Sequence, residues 1–175
     1  FDGKGYTIKD FSPVCENSTA GGVYGLFGCL GAGAVVENIV FDSSCSMELK
    51  STAGTDCGML AGLAWDATIR NITNKGTMKY TGKSDSKKTN IAVVGMAFAE
   101  TQDVLIENVV NEGDLTAVSG GTNQNGGNAV HVAGILGFGT NHVDVSKIVH
   151  VKDCINRGNI ESATARASGI VAACN

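Results

Sequence analysis

One short turn recurs along this chain. NKGTM from Asn74, NEGDL from Asn111 and NRGNI from Asn156 all read Asn-x-Gly-x-apolar, and each closes a longer segment. The longer segments are VVENIVF, TIRNITNKGTM, LIENVVNEGDL and VKDCINRGNI, which superimpose on Asn38, Asn71, Asn108 and Asp153. A second phrase, Gly followed by two apolar residues, recurs at Gly25, Gly58, Gly95, Gly134 and Gly169. From that glycine to the aligned Asn is 13 residues in three units and 19 in the fourth, where six extra residues surround NHVDVSK. The return from Asn to the next glycine takes 20, 24, 26 and 16 residues, so insertions concentrate there. Self-similarity at 33 to 39 residues between glycines is the mark of a repeat architecture, and it constrains the fold more than any single motif does.

A period of this size also suits helix-turn-helix repeats. With 24 glycines in 175 residues and apolar segments too short for a 3.6-residue period, helices are disfavoured. Counting the aligned Asn as zero, position −2 holds Ile8, Val36, Ile69, Ile106 and Val151, and position −4 holds Tyr6, Ala34, Ala67, Val104 and Val149. Polar or variable residues lie between them, which is strand alternation. Position +1 holds Phe11, Ile39, Ile72, Val109 and Cys154. A strand that returns once per coil in constant register stacks parallel on its predecessor. The expectation is an all-β, right-handed parallel β-helix of about five coils with loop insertions, a single solenoid over residues 1–175 that is open at both ends.

Charge provides an independent test of this register. Position −1 reads Lys9, Glu37, Arg70, Glu107, Lys152, and position +4 reads Asp42, Lys75, Glu112, Arg157, each alternating in sign. Stacked neighbours lie about 4.8 Å apart, so opposite charges pair and like charges repel. Exposed pairs of this kind contribute roughly 0.2–1 kcal/mol and specify register more than stability. Gly76, Gly113 and Gly158 are expected to supply the positive φ of a tight bend. Asn38, Asn71 and Asn108, and separately Asn74, Asn111 and Asn156, are expected to form side-chain amide ladders.

FDGKGYTIKDF followed by GLFG and then VVENIVF resembles the GLUG-type repeats of bacterial and protist cell-surface proteins, and AGILG and CINRGNI fit the same pattern. CGMLAG and VVGMAF depart from the Gly-Leu-apolar-Gly form. The resemblance covers nearly the whole chain. It implies a pectate-lyase-like solenoid, an extracellular or cell-surface setting, and an adhesive or structural role without catalytic residues.

The remaining features narrow the function classes. Thirteen Lys and Arg against 17 Asp and Glu give a net charge of −4, and the only basic run is KSDSKK at 83–88, so nucleic acid is disfavoured. No apolar stretch reaches transmembrane length. Six cysteines match no zinc spacing; Cys15 and Cys45 fall at similar positions in consecutive coils and are expected to form a disulfide, while Cys154 reads as a small buried residue. The sequons at Asn17 and Asn71 allow glycosylation, Asn17 being the better acceptor. A polysaccharide lyase or glycosidase is the alternative, but the acids are mostly ladder members, and Asp66, Asp103 and Asp144 share no aligned position. Trp65 is the only Trp, and His131, His142 and His150 read as surface or loop residues. An ice-binding face needs a threonine column, which Thr68, Thr73, Thr77 and Thr116 do not form. No metal or cofactor is expected. The expected partners are other copies or adjoining coils stacked end to end, with glycans or host-surface proteins contacting the loops at 82–90 and 119–129. Counting on from Gly169 into a second copy places its Asp10 16 residues further, within the internal range of 13 to 19, so the chain is expected to stack end to end, as a segment of a longer surface adhesin or into a filament.

Overall fold

The computed structural model describes residues 1–16, 21–82, 89–118, 129–141, 146–163 and 166–174, and those residues contain strands and no helix. All strand pairings are parallel, and they form three sheets that wall one interior. The asparagine sheet stacks Thr7–Ile8, Val35–Phe41, Thr68–Asn74, Val104–Asn111 and Val149–Lys152 with Ile155–Asn156. A short sheet stacks Val14–Cys15, Ser46–Leu49, Thr77–Tyr80, Leu115–Ala117 and Ile160–Ser162. The glycine sheet is built on Thr55–Trp65 and Thr89–Ala99, flanked by the broken strands Gly22–Tyr24 with Phe27–Leu30, Val130–Ala133 with Leu136–Asn141, and Arg166–Ser168 with Val171–Cys174. The chain visits the sheets in this order five times, so four complete turns of a β-solenoid separate the first pass from the last. The short sheet is a separate wall that the repeat spacing had merged with the turn.

The asparagine corner explains the unusual apolar spacing. Asn38, Asn71, Asn108 and Asp153 take left-handed φ values of 59°, 56°, 51° and 50°. Asn and Asp tolerate this region because their short polar side chains bond locally. One left-handed residue rotates the strand, so positions −2 and +1 both face inward although they are three residues apart. Val36, Ile69 and Ile106 are buried in one column, and Ile39, Ile72 and Val109 in the other. Each fully buried Ile or Val contributes about 1.5–3 kcal/mol, so these two columns carry much of the stabilisation of this wall. Val151 ends the first column half-buried.

The first coil departs from the expected register. Ile8 pairs with Phe41 and Thr7 with Val40, while Asp2 bridges Glu37. Gly3 therefore occupies the Asn38 position, and Asp10 does not. Lys4 and Gly5, at φ 51° and 75°, form a two-residue insertion closed by the Tyr6 N–H bonding to the Gly3 carbonyl at 2.9 Å. The sequence misleads here because TIKDF imitates VVENI, and Asp10 does adopt a left-handed φ of 55°. Its local conformation matches the repeat but its stacking partner does not. Tyr6 is consequently exposed rather than a core member.

The glycine sheet also shifts register, between Ala92 and Val94. Ala92 pairs with Gly58, and Gly95 lies beside Gly62 and Gly137 instead. A Cβ on Gly95 would fall 2.7 Å from the Gly62 carbonyl oxygen, so the residue is fixed by close approach across this bent sheet.

Candidate functional site

The regular columns are the most organised polar feature of the molecule. In the outer amide ladder, Asn108 Nδ2 donates to Asn71 Oδ1 at 2.9 Å, Asn71 Nδ2 to Asn38 Oδ1 at 3.0 Å, and Asn38 Nδ2 to Asp2 Oδ1 at 2.9 Å. Asp2 only accepts when ionised, so it fixes the orientation of every amide behind it. The Asn38 amide and the Lys4 N–H hold the Asp2 carboxyl below its usual range. Asp153 ends the column at the opposite end, exposed.

The inner ladder runs the other way. Asn74 Nδ2 donates to Asn111 Oδ1 at 2.7 Å, and Asn111 Nδ2 to Asn156 Oδ1 at 2.8 Å. The same three amides donate to the carbonyls of Gly76, Gly113 and Gly158 at 2.9, 2.8 and 2.9 Å. The Gly76 N–H returns a bond to Asn74 Oδ1 at 3.1 Å, which sets the sense of this ladder. Asn74 and Asn111 are fully buried, so each amide left unpaired would cost about 1–3 kcal/mol.

The three turn glycines are there for space, not for positive φ. Among the described residues, positive φ at glycine occurs at Gly5, Gly21 and Gly33. A Cβ on Gly113 would lie 1.8 Å from the Gly76 oxygen, and one on Gly158 2.0 Å from the Gly113 oxygen. On Gly76 it would meet the Cys45 oxygen at 2.7 Å. Successive turns thus stack backbone on backbone.

The charge columns are rearranged by the first coil. Glu37, Arg70, Glu107 and Lys152 share one column, as the spacing implied, and Arg70 Nε meets Glu37 Oε2 at 2.5 Å. Lys9 is not its fifth member; Asp2 takes that place above Glu37. Lys9 instead follows Ile8 into the column of Asp42, Lys75, Glu112 and Arg157, which then alternates through all five coils. Arg157 Nη1 meets Glu112 Oε1 at 3.2 Å. The Ser44 N–H and hydroxyl, with Lys9 nearby, hold the Asp42 carboxyl below its ordinary value.

Other residues singled out from the sequence lie elsewhere. The expected Cys15–Cys45 disulfide is absent, and all six cysteines are free. Cys15 pairs with Leu49, four positions along the strand direction from Cys45, or about 13 Å, which is too far for a disulfide. Cys45 Sγ faces the Ile8 carbonyl at 3.4 Å. The neighbouring Cys15 thiol, together with complete burial, raises the Cys57 thiol well above its usual range. His131 is buried, contrary to the surface expectation, whereas His150 pairs with Asp103 at 3.3 Å. Asn17, Asp144, His142, the KSDSKK run and residues 119–128 lie outside the described residues.

The sequence reading named Asp66 and His131 singly but missed the two polar arrangements they belong to. Asp56, Asn90, His131 and Arg166 occupy one column of the glycine sheet. Asn90 Nδ2 donates to Asp56 Oδ1 at 2.6 Å, which leaves Asn90 Oδ1 to accept from His131 Nδ1 at 2.7 Å. Their offsets from the conspicuous glycines differ because of the register shift, so no spacing exposed them. Asp66 is a buried corner residue at φ 52° whose carboxylate accepts from Glu100 N, Thr101 N and Thr101 Oγ1 at 2.7, 3.0 and 2.6 Å. Burial pushes its carboxyl up, but the Thr101 hydroxyl and the Glu100 and Thr101 N–H groups outweigh that and leave it below the ordinary range.

Both ends of the interior are concave. Phe1, Tyr6, Ile8 and Ile39 line a cavity of about 320 Å³ at the first coil. Leu136, Ile148, Val149, Val151, Val171 and Cys174 line one of about 380 Å³ at the last. Among the described residues no group of three or more His, Cys, Asp or Glu is placed to hold a metal ion. Comparison of the chain with protein-family models, with curated proteins and with solved structures finds no match.

Proposed function

We propose that this chain is a non-enzymatic structural and adhesive β-solenoid of the extracellular or cell surface, of the GLUG-repeat type, working by coil-on-coil stacking. The observation that carries this reading is the pair of amide ladders with their flanking charge columns, which run through successive coils and reach the end coils. Their side chains are engaged with one another and with turn carbonyls, so their chemistry is used to hold register. Such surfaces are regular, and in a solenoid each repeat contacts only its neighbours, so the stacking of successive coils sets the whole surface. Glycan-array binding, run beside depolymerisation assays on neutral and acidic polysaccharides, tests the proposal. Turnover of any polysaccharide refutes it.

One observation favours polysaccharide binding as a second reading. Trp65 is 38% exposed on the glycine sheet and meets Phe98 edge-on at 5.7 Å between ring centroids. Exposed aromatic faces are suited to stack on sugar rings. Under this reading Trp65→Ala abolishes glycan retention without altering the melting temperature.

A further inference from the structure

We infer that Cys15 and Cys57 are a redox pair that closes to a disulfide through the interior and locks two successive coils together, with a small-molecule or protein disulfide as the oxidant. The inference goes beyond the stacking and adhesive reading and does not depend on it.

Position in the repeat pointed Cys15 toward Cys45, but the fold turns it toward a different wall. Cys15 lies in the short-sheet strand Val14–Cys15, stacked on Leu49 of the next coil. Cys57 lies in Thr55–Trp65, the glycine-sheet strand that follows Leu49 round the corner. Both side chains belong to one core cluster, Cys15 at 6% and Cys57 at 0% exposure. There the two thiols are within hydrogen-bonding reach of each other. Cys57 Sγ also donates to Met47 Sδ at 3.1 Å, so three sulfurs are packed together. The other thiols have different neighbours: Cys29 faces the Leu30 carbonyl, Cys45 that of Ile8, and Cys154 those of Ile106 and Lys152.

The contact also divides the chemistry between the two. The hydrogen bond from Cys57 holds the Cys15 thiol below its usual range, while the same bond and burial push Cys57 well above it. Cys15 is therefore the sulfur that ionises first, and the thiolate is the nucleophile. It attacks one sulfur of a disulfide such as glutathione disulfide, whose other sulfur leaves as a thiolate. Cys57 then gives up its proton and attacks Cys15 Sγ, expelling the second thiolate. Two protein thiols are oxidised, and one disulfide takes their two electrons and becomes two thiols. Access comes through Cys15, since its strand is two residues long and Val14 beside it is 54% exposed. Local opening of so short a strand needs far less than global unfolding. The flexible Met47 thioether takes up the space as the sulfurs draw together. The closed bond spans 42 residues from Cys15 to Cys57 and lowers the unfolding equilibrium constant by about a hundred- to a thousandfold.

The test equilibrates the folded 175-residue chain in glutathione buffers from fully reduced to fully oxidised. The protein is then alkylated in denaturant and its peptides are mapped without reduction. After the reduced buffer, both thiols are alkylated once the chain unfolds. After the oxidised buffer, neither is, and the two are recovered as one cross-linked peptide pair. The urea midpoint of the oxidised wild type falls when dithiothreitol is added, and that of Cys15→Ala does not. Alkylation of both thiols after full oxidation, a glutathione adduct left on either, or a bond from either to another cysteine overturns the inference. So does a wild-type midpoint indifferent to dithiothreitol. These readings need the wild type alone, so they decide the matter whether or not the variant folds.

Discussion

Gly113→Ala separates the two reasons a glycine can be required. The new Cβ would lie 1.8 Å from the Gly76 oxygen, 2.7 Å from its carbon and 3.2 Å from Asn74 Nδ2. Ordinary contact begins near 3.4 Å, so the two coils must separate by about 1.6 Å at this point. The coil spacing is only about 4.8 Å. Such a retreat breaks the Glu112 N–H bond to the Asn74 carbonyl at 2.7 Å and the Asn74 Nδ2 bond to Asn111 Oδ1, also at 2.7 Å. Two largely buried hydrogen bonds at about 1 kcal/mol each, with about 1–3 kcal/mol of overpacking strain, outweigh the roughly 0.4–1 kcal/mol gained by restricting the unfolded chain. The net loss is about 2–4 kcal/mol, a large share of the 5–15 kcal/mol typical of a domain. Urea unfolding followed by circular dichroism measures it. Gly113→Asn should cost at least as much, because any Cβ clashes. Gly5→Asn, at φ 75° with nothing within 4 Å, should be nearly neutral. Rescue of Gly113 by Asn, or a loss below about 1 kcal/mol for Gly113→Ala, refutes the close-stacking account.

Glu107→Lys places three cations in one column with Arg70 and Lys152, so it should lower the urea midpoint more than Glu107→Gln, with the difference shrinking in high salt. Asn111→Asp replaces a buried donor with an acceptor facing the Gly113 carbonyl and Asn156, and should cost about 2–4 kcal/mol at neutral pH. The introduced carboxyl has a raised folded pKa, so the loss should ease as pH falls; a pH-independent loss in urea titrations would contradict this. Asp66, with its folded pKa depressed, contributes stability that is present above its unfolded value of about 3.9 and is lost as pH falls through the lower folded value. Asp66→Asn should therefore flatten the acid limb of the stability profile below about pH 4. Alkylation of the native protein should modify Cys29 and Cys174 first and reach Cys15, Cys45 and Cys57 only after unfolding, as peptide mass mapping would show.

The corner residues were readable because a single position carries two demands at once. Asn38, Asn71 and Asn108 must accept a left-handed φ and bond to the coil beside them, and few residues besides Asn do both. The inward columns followed from the same corner. What the sequence hid was pairing. TIKDF copies the local pattern of VVENI, but the Lys4–Gly5 insertion moves the first coil against its neighbour, and only the stacking partner shows the shift. Gly95 likewise mimics Gly58 in its flanking residues while lying beside Gly62. The Asp56–Asn90–His131 column was invisible because the irregular step between Ala92 and Val94 gives its members no common offset. Turn glycines were located correctly and explained wrongly, since a letter in a sequence does not distinguish dihedral freedom from crowding by another coil.

The alternating column that runs from Lys9 through Asp42, Lys75 and Glu112 to Arg157 bears on how such a solenoid lengthens. Duplicating one coil in place would set a charge against its own copy, Lys75 on Lys75 or Glu112 on Glu112, and would do the same to Arg70 or Glu107 in the companion column. From the Glu37 coil onward, duplicating two consecutive coils preserves the alternation at every junction; above it the companion column carries two acids, Asp2 on Glu37. The structural period is one coil, but the electrostatic period is two. Tandem growth without repair by substitution therefore proceeds in pairs of coils.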